Sequence, residues 1–328
     1  MKKKIALVTG GYSSEAQISY KSVITVENNV DREKFDVYKI DINPNGWLYL
    51  PQEGTPSAVN REDFTIIAEG KKINFDAVLM CIHGTPGEDG KLQGYFDLLH
   101  LPYTSCNAAT SALTFNKRYT VAVAGFAGVN VARSVLFFKH NFVNADEAVK
   151  DLKFPVFVKP NNGGSSIGMS KVEKFTEELG VAIEKAFKED NEVLVEEFIK
   201  GREFTIGVYK NKGKVTTLPI TEVISKNNFF DFEAKYQGLS EEITPAKVEE
   251  NIAKQIRDAA KLIYESLNCS GVVRIDFIYD DEKKAPYMLE VNTVPGQSEA
   301  SIIPQQVKAA GGNLKNFYTS LIEECLSA

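Results

Sequence analysis

The chain has 328 residues, a formal net charge of −6, 43% hydrophobic and 25% charged residues, which is enough for two or three domains with sizeable cores. The charge balance excludes a general nucleic-acid surface, so any anion site must be assembled locally from a few lysines. Cys81, Cys106, Cys269 and Cys325 form no CxxC pair, which suits reduced thiols in a cytoplasm. The basic start carries too short an apolar run for a signal peptide, and no later stretch is long enough to span a membrane.

The first hundred residues alternate strand and helix. Strands are predicted at 5–9, 35–40 and 77–82, with a helix at 91–99 whose Leu92, Tyr95, Phe96 and Leu99 share a face. Alternation of this kind implies an open parallel sheet, whose binding crevice is lined by the loops after the strand C-termini. Two such loops carry polar groups: GGYSSE at 10–15, and HGTPGEDG at 83–90. The first lacks the third glycine of a dinucleotide fingerprint. Ser13 or Ser14 can cap a helix starting at Glu15, and a glutamate there is usually only a favourable dipole partner. His83 alone would read as an ordinary loop histidine; the shared sheet edge makes both candidates.

A boundary is predicted near 105–115, in the small polar run SCNAATSAL, followed by a helix that contains Lys117. A strand at 134–138 and a helix near 145–152 precede the segment FPVFVKP. Lys159 ends a buried-type strand, where a charge requires an anionic partner. The run NNGGSSIG that follows is suited to closing backbone N–H groups and hydroxyls over phosphates, although a surface hairpin reads similarly. It is not a Walker A loop, because the lysine precedes the glycines.

Next come a helix at 175–187 and a strand at 193–197 leading into EEFIKGRE. A strand running into a linker between sheets can hold an adenine through backbone groups and a carboxylate; clustered acids also make solvated faces. Strands are predicted at 204–209 and 215–223, then a long loop at 225–244 without a clean period, and an amphipathic helix at 246–267. Residues 272–279 and 287–292 flank the turn-forming DDEKKAP and read as a β-hairpin, before two closing helices. Period-2 alternation with a turn near Lys283 sets Asp276 opposite Glu290 and Arg274 opposite Asn292, with Leu289 and Val291 pointing away. Two opposed carboxylates repel unless a divalent cation lies between them, and hard oxygen donors suit Mg²⁺ with substrate phosphates. The alternative is a solvated strand face with an Arg–Asp ion pair.

GGYSSE, HGTPGEDG, Lys117, VKPNNGGSSIGMSKV, EEFIKGREFT, FDFEAKY, RIDF and EVNTVPG, in this order and spacing, resemble the D-alanine–D-alanine ligases of the ATP-grasp superfamily over essentially the whole chain. The resemblance implies an α/β fold with an α+β C-terminal part: a first-substrate domain at 1–108, a central subdomain at 109–202 and a C-terminal subdomain at 203–328, the last two clasping ATP. It implies that Lys117 and Lys159 hold ATP phosphates under a loop with Ser165 and Ser166. Glu196 would take the adenine amine, the backbone of Glu197, Phe198 and Ile199 would line the base, and Glu203 would hold the ribose. Asp276, Glu290 and Asn292 would bind two Mg²⁺ ions, for which Mn²⁺ may substitute. Glu15 would fix the first substrate's ammonium, with His83 near its carboxylate and Arg274 and the Gly296 N–H at the oxyanion. Ser165 and Tyr236 would join Glu15 in a triad, Lys235 would approach the γ-phosphate, and Ser301 and Ile302 would lie by the second substrate. ATP-dependent joining of two D-alanines through an acyl phosphate, for peptidoglycan precursors, and a cytoplasmic homodimer follow from the same resemblance. A D-lactate or D-serine ligase, or another ATP-grasp ligase, is the alternative. Gln297 and Ser298 stand where relatives carry an apolar residue and a threonine. The loop around Tyr236 lacks the histidine of D-lactate-using relatives, which favours D-alanine as acceptor.

Overall fold

The computed structural model describes residues 2–141, 145–164, 167–175, 177–225 and 240–327. The expected roles of Ser165, Ser166, Lys235 and Tyr236, and most of the long loop at 225–244, lie outside the described residues.

Three sheets organise the chain. The first runs Ser57–Ala58, Gly46–Leu50, Phe35–Asn43, Lys3–Gly10, Ala77–Met80 in spatial order. Strand Lys3–Gly10 is parallel to both neighbours and sandwiched between two cores: Ile5 and Leu7 face one, Ala6 and Val8 the other. A continuous apolar run is what burial on both faces demands. The sheet is not wholly parallel, however. The turn after Asn43 is Pro-Asn-Gly, too short for a crossover, so Gly46–Leu50 returns antiparallel.

The second sheet is antiparallel, in the order Ser170–Val172, Val156–Pro160, Glu192–Glu197, Ser134–Phe138. Helix Glu178–Ala186 covers one face over Val156, Val158, Val193 and Val195. The third has seven strands, with Arg202–Asn211 and the hairpin Val272–Asp280/Ala285–Asn292 at its centre. Helix Glu250–Ser266 packs on its core face.

Several boundaries differ from the sequence reading for identifiable reasons. The segment predicted as one strand at 215–223 is two, Lys214–Thr217 and Thr221–Ser225, interrupted where Pro219 has no N–H to give a ladder. The helix predicted from 246 begins at Glu250, because Ala246 N donates to Ile220 O (2.8 Å) and holds the approach extended. The run at 105–115 forms the helix Ala108–Phe115, capped by Asn107. Its hydroxyls find backbone acceptors: Thr114 Oγ1 bonds Thr110 O within the helix (2.9 Å), and Thr110 Oγ1 reaches Leu267 O at the end of a distant helix (2.8 Å). This helix and Lys117–Phe126 adjoin the third sheet, to which strand Asn130–Val131 also adds.

Candidate active site

The hairpin sets the floor of the site. Its register pairs Arg274 with Asn292 and Asp276 with Glu290, and a bulge after Asp276 then brings Phe277 opposite Met288. The bulge corrects one expectation: Met288 and Val291, rather than Leu289, are the core residues of the returning strand. Phe204, Ile206, Ile275 and Phe277 fill the core, leaving Glu203, Thr205, Arg274, Asp276, Glu290 and Asn292 on the opposite face.

Asp276 is the hub of that face. It takes a bidentate pair from Arg274 Nε and Nη2 (both 2.9 Å), Thr205 Oγ1 at 2.5 Å and Asn292 Nδ2 at 3.2 Å. Arg274 Nη2 also lies 4.0 Å from Glu290 Oε1. Burial opposes the Arg274 charge, but the carboxylates of Asp276, Glu290 and Glu88 outweigh it and raise its pKa. The Arg–Asp pair and the opposed carboxylates therefore occur together. Among the described residues no three His, Cys, Asp or Glu side chains gather into a metal cluster. Two carboxylates and an amide are nonetheless a hard-oxygen set on one face, fitting a Mg²⁺ that takes its other ligands from water and phosphate.

The N-terminal loops meet this face. Glu15 immediately precedes helix Ala16–Asn29, and its N–H contacts Ser13 Oγ (3.3 Å). Its carboxylate bridges two loops: a Cβ on Gly84 would lie 2.5 Å from Oε2, and one on Gly164 2.6 Å from Oε1. Both neighbours are glycine, and Gly84 also needs its φ of +65°. His83 is buried; its N–H donates to Ser19 Oγ (2.9 Å) and its Nε2 meets Ser22 Oγ (3.2 Å). Burial, then Arg274, lowers its pKa to about 4.

Glu88, not singled out in the sequence, accepts from Gly84 N (2.8 Å) and Val294 N (3.1 Å), tying the histidine loop to the hairpin exit. The residue is half-buried between the two loops. Desolvation, then the Glu15 charge, raises its pKa to about 8.

Of the two lysines, Lys159 stands on the second sheet and Lys117 on a helix bonded to that sheet's glycine loop. Lys117 opens helix Lys117–Phe126, whose first two N–H groups bond Asn161 O (3.0 Å) and Oδ1 (2.9 Å), while its Nζ donates to Gly163 O at 2.6 Å. Asn161 and Asn162 anchor the start of the glycine loop through Glu192 (2.6 Å) and Asp190 (2.9 Å). The anion beside Lys159 is Glu196, 2.8 Å away on the next strand. Both lie on the face away from that sheet's core. Glu197 accepts from Lys153 N (2.9 Å), and its own N–H and that of Phe198 bond Arg133 O and Pro155 O (2.9 and 3.0 Å). Those groups serve their own sheet, and the Phe198 ring packs on Phe157 (5.7 Å) beneath Lys171 (4.6 Å). Ile199 is buried, and Glu203 is half-buried beside Thr205.

Beyond the hairpin, a Cβ on Gly296 would meet Ser301 Oγ at 2.8 Å. Ser301 precedes helix Ile302–Ala309 and shares its hydroxyl with Ser298 (2.7 Å). Buried Gln306 binds Gly207 N (2.9 Å) and Thr205 O (3.0 Å), securing this helix to the third sheet. Ser19, Ser22, Thr205 and Gln306 gave no signal in the sequence beyond a polar residue at an inward helix or strand position.

A lysine on one sheet, a second on the helix bonded to its glycine loop, a carboxylate-and-arginine face on another sheet and an acid-bearing loop between them define an ATP-dependent carboxylate–amine ligase of ATP-grasp architecture. Family profiles described as D-ala D-ala ligase N-terminus and D-ala D-ala ligase C-terminus match residues 4–106 and 123–323. The chain belongs to the D-alanine–D-alanine ligase family. A D-alanine–D-alanine ligase of Flavobacterium johnsoniae is 46% identical over 99% of this chain and 100% of its own length. The VanG D-Ala:D-Ser ligase from Enterococcus faecalis superposes with a TM-score of 0.88 at 33% identity, over 98% of this chain and 99% of that one. The D-alanine–D-alanine ligase of Bacillus anthracis complexed with ATP gives 0.78 at 28% identity, over 99% and 98%.

Proposed function

We propose that the chain joins two D-alanines to D-alanyl-D-alanine at the expense of ATP, releasing ADP and phosphate, for peptidoglycan precursors in the cytoplasm. The observation that carries this reading is Glu15, whose carboxylate touches both the histidine loop at Gly84 and the glycine loop at Gly164, so that an ammonium site and a phosphate site face one cleft. Full-length identity of 46% to a D-alanine–D-alanine ligase supports the substrate.

In this reading Glu15 holds the first D-alanine's ammonium, and Lys117 and Lys159 steady the nucleotide phosphates. The carboxylate attacks the γ-phosphorus and the bond to the β,γ-bridging oxygen breaks, expelling ADP and turning a poor electrophile into an acyl phosphate with a good leaving group. The second amine then attacks the acyl carbon, and Arg274 and the Gly296 N–H stabilise the oxyanion until phosphate leaves. Glu196 and Glu203 select adenine and ribose, with the chain at 197–199 along the base. Asp276, Glu290 and Asn292 would hold two Mg²⁺, or Mn²⁺ in their place, which when bound offset phosphate charge. Ser301 and Ile302 flank the acceptor. The proposed division is 1–108, 109–202 and 203–328, with residues 108–131 packed on the third part, and the assembly a homodimer, to be measured by light scattering.

A second reading, a D-serine acceptor, has a specific basis: the VanG likeness and the polar Gln297-Ser298 pair beside Ser301. The decisive experiment measures phosphate release and dipeptide formation from Mg-ATP with D-alanine, L-alanine, D-alanine plus D-serine, D-alanine plus D-lactate, or no addition. Coupled phosphate and D-alanyl-D-alanine with D-alanine alone is the expected result. Preferential D-serine or D-lactate incorporation near neutral pH overturns the acceptor, and ATP binding without turnover overturns the ligase.

A further inference from the structure

Helix Ala16–Asn29 turns two wholly buried serines, Ser19 and Ser22, toward the loop after strand Ala77–Met80. Ser19 Oγ takes the backbone N–H of His83, which positions the main chain. Ser22 Oγ meets the ring at Nε2 (3.2 Å) and also receives the backbone N–H of Gln297 (3.0 Å).

A hydroxyl has one proton to give and two lone pairs to receive. The Gln297 N–H can only donate, so it occupies one lone pair. If His83 carried its hydrogen on Nε2, Ser22 would accept twice and its own proton would be buried without an acceptor, which folded proteins rarely tolerate. Among the described residues no carbonyl of the preceding helical turn takes that proton, as Thr110 O does for Thr114. The proton must therefore run from Ser22 to Nε2, and the imidazole hydrogen must sit on Nδ1. Nδ1 makes no hydrogen bond among the described residues.

The donor to Ser22 is held in place by its own side chain. Gln297 is buried; its Oε1 accepts from Tyr318 OH (3.2 Å) on helix Leu314–Leu326, and its Nε2 donates to Pro295 O (3.2 Å). An apolar residue at 297 would have neither bond, so this departure from the family pattern is itself wired into the network. Burial and Arg274 disfavour the imidazolium, so the ring is neutral and has a tautomer to choose.

We infer that Ser22 and the backbone N–H of Gln297 fix His83 as the Nδ1–H tautomer, making it a one-way hydrogen-bond donor to the carboxylate of the first substrate. Ser22 is thus a positioning residue. The identity of the carboxylate rests on the ligase reading; the tautomer does not.

The test is ¹⁵N-imidazole NMR on the full chain without ligand. A His100→Asn, His140→Gln variant leaves His83 as the single histidine of the three in the sequence. The expected spectrum has protonated Nδ1 and bare Nε2, the reverse of imidazole's preference in water. Ser22→Ala is expected to move the hydrogen to Nε2 and to raise the KM for D-alanine about tenfold with a smaller change in kcat. Nε2–H in the parent, or an unaltered tautomer in Ser22→Ala, overturns the inference whatever the ligase assay gives. Should Ser22→Ala fail to fold, the parent spectrum alone decides. A shifted tautomer with unchanged KM overturns the donor role, whereas Nδ1–H in a protein without ligase turnover overturns the ligase reading alone.

Discussion

Glu88 sits where the charges of the cleft are balanced, between Glu15 and Arg274 and under the N–H groups of Gly84 and Val294. Its folded pKa of about 8 lies above the ordinary carboxyl value, so the folded state holds a proton that the unfolded chain releases first. Its contribution to stability is full below the unfolded pKa and is lost as pH rises toward 8. Glu88→Gln removes that titration, so the Tm of the variant is expected to gain several degrees on the parent between pH 5 and 8, measured by calorimetry in matched buffers. An equal pH slope in both proteins would contradict a protonated Glu88. Arg274 is argued differently, from the developing oxyanion. Arg274→Ala should keep ATP affinity within a few-fold and lose about 10²–10³ in kcat, because a donor aimed at transition-state charge is removed while Lys117 and Lys159 remain. Parent-like turnover in that variant would remove Arg274 from the chemistry.

At the scale of elements, the approach to the hairpin tests how tightly the site is built. Gly271 has φ +65°, and a Cβ there would stand 2.0 Å from Thr104 O. Gly271→Ala therefore meets both a left-handed backbone and a carbonyl that cannot yield, and is expected to cost on the order of 3 kcal/mol in chemical denaturation. The hairpin was legible in the sequence because a period of two and one polar turn suffice to set which side chains face each other; the pairs Arg274/Asn292 and Asp276/Glu290 follow from counting. The bulge was not, since the extra residue, Leu289, breaks the period of two on the returning strand while Val272–Asp280 keeps an unbroken register with Arg202–Asn211. Helix Glu250–Ser266 shows the same limit. Its apolar period continues back to Val248, but the bond from Ala246 N to Ile220 O, made across the sheet, decides where helix begins. Glu88, Ser19 and Ser22 escaped notice because a loop acid and helical serines look like surface until a third segment, the hairpin exit, packs over them. The anionic partner that Lys159 requires at the end of its strand is present in the sheet itself as Glu196, which only the pairing of the two strands reveals.

Across the whole molecule the cores divide unequally. Among the described residues the second sheet has a core drawn entirely from residues 135–195, sharing no buried apolar side chain with the other cores. The first and third sheets do share one: Ile5, Leu7, Val23 and Val26 pack with Val272, Ile303, Leu314, Phe317 and Leu321, so the C-terminal helices seal the N-terminal sheet. Burial couples elements in proportion to the apolar area they share, so the second sheet should open as its own cooperative unit while the other two open together. In native-state hydrogen exchange at rising denaturant, amides of Val156–Pro160 and Glu192–Glu197 are expected to merge on one isotherm. Those of Lys3–Gly10 and Val272–Asp280 should merge on another of higher free energy. Addition of a non-hydrolysable ATP analogue with Mg²⁺ should raise the first isotherm toward the second, since a nucleotide held as proposed, by Lys117 and Lys159 on one side and by Glu203 and Asp276 on the other, would add the coupling that the apolar cores lack. A single isotherm for all four strands without nucleotide would mean that polar contacts such as Lys117 N to Asn161 O already couple the units, and the cleft would then have to admit ATP without the second sheet opening from the other two.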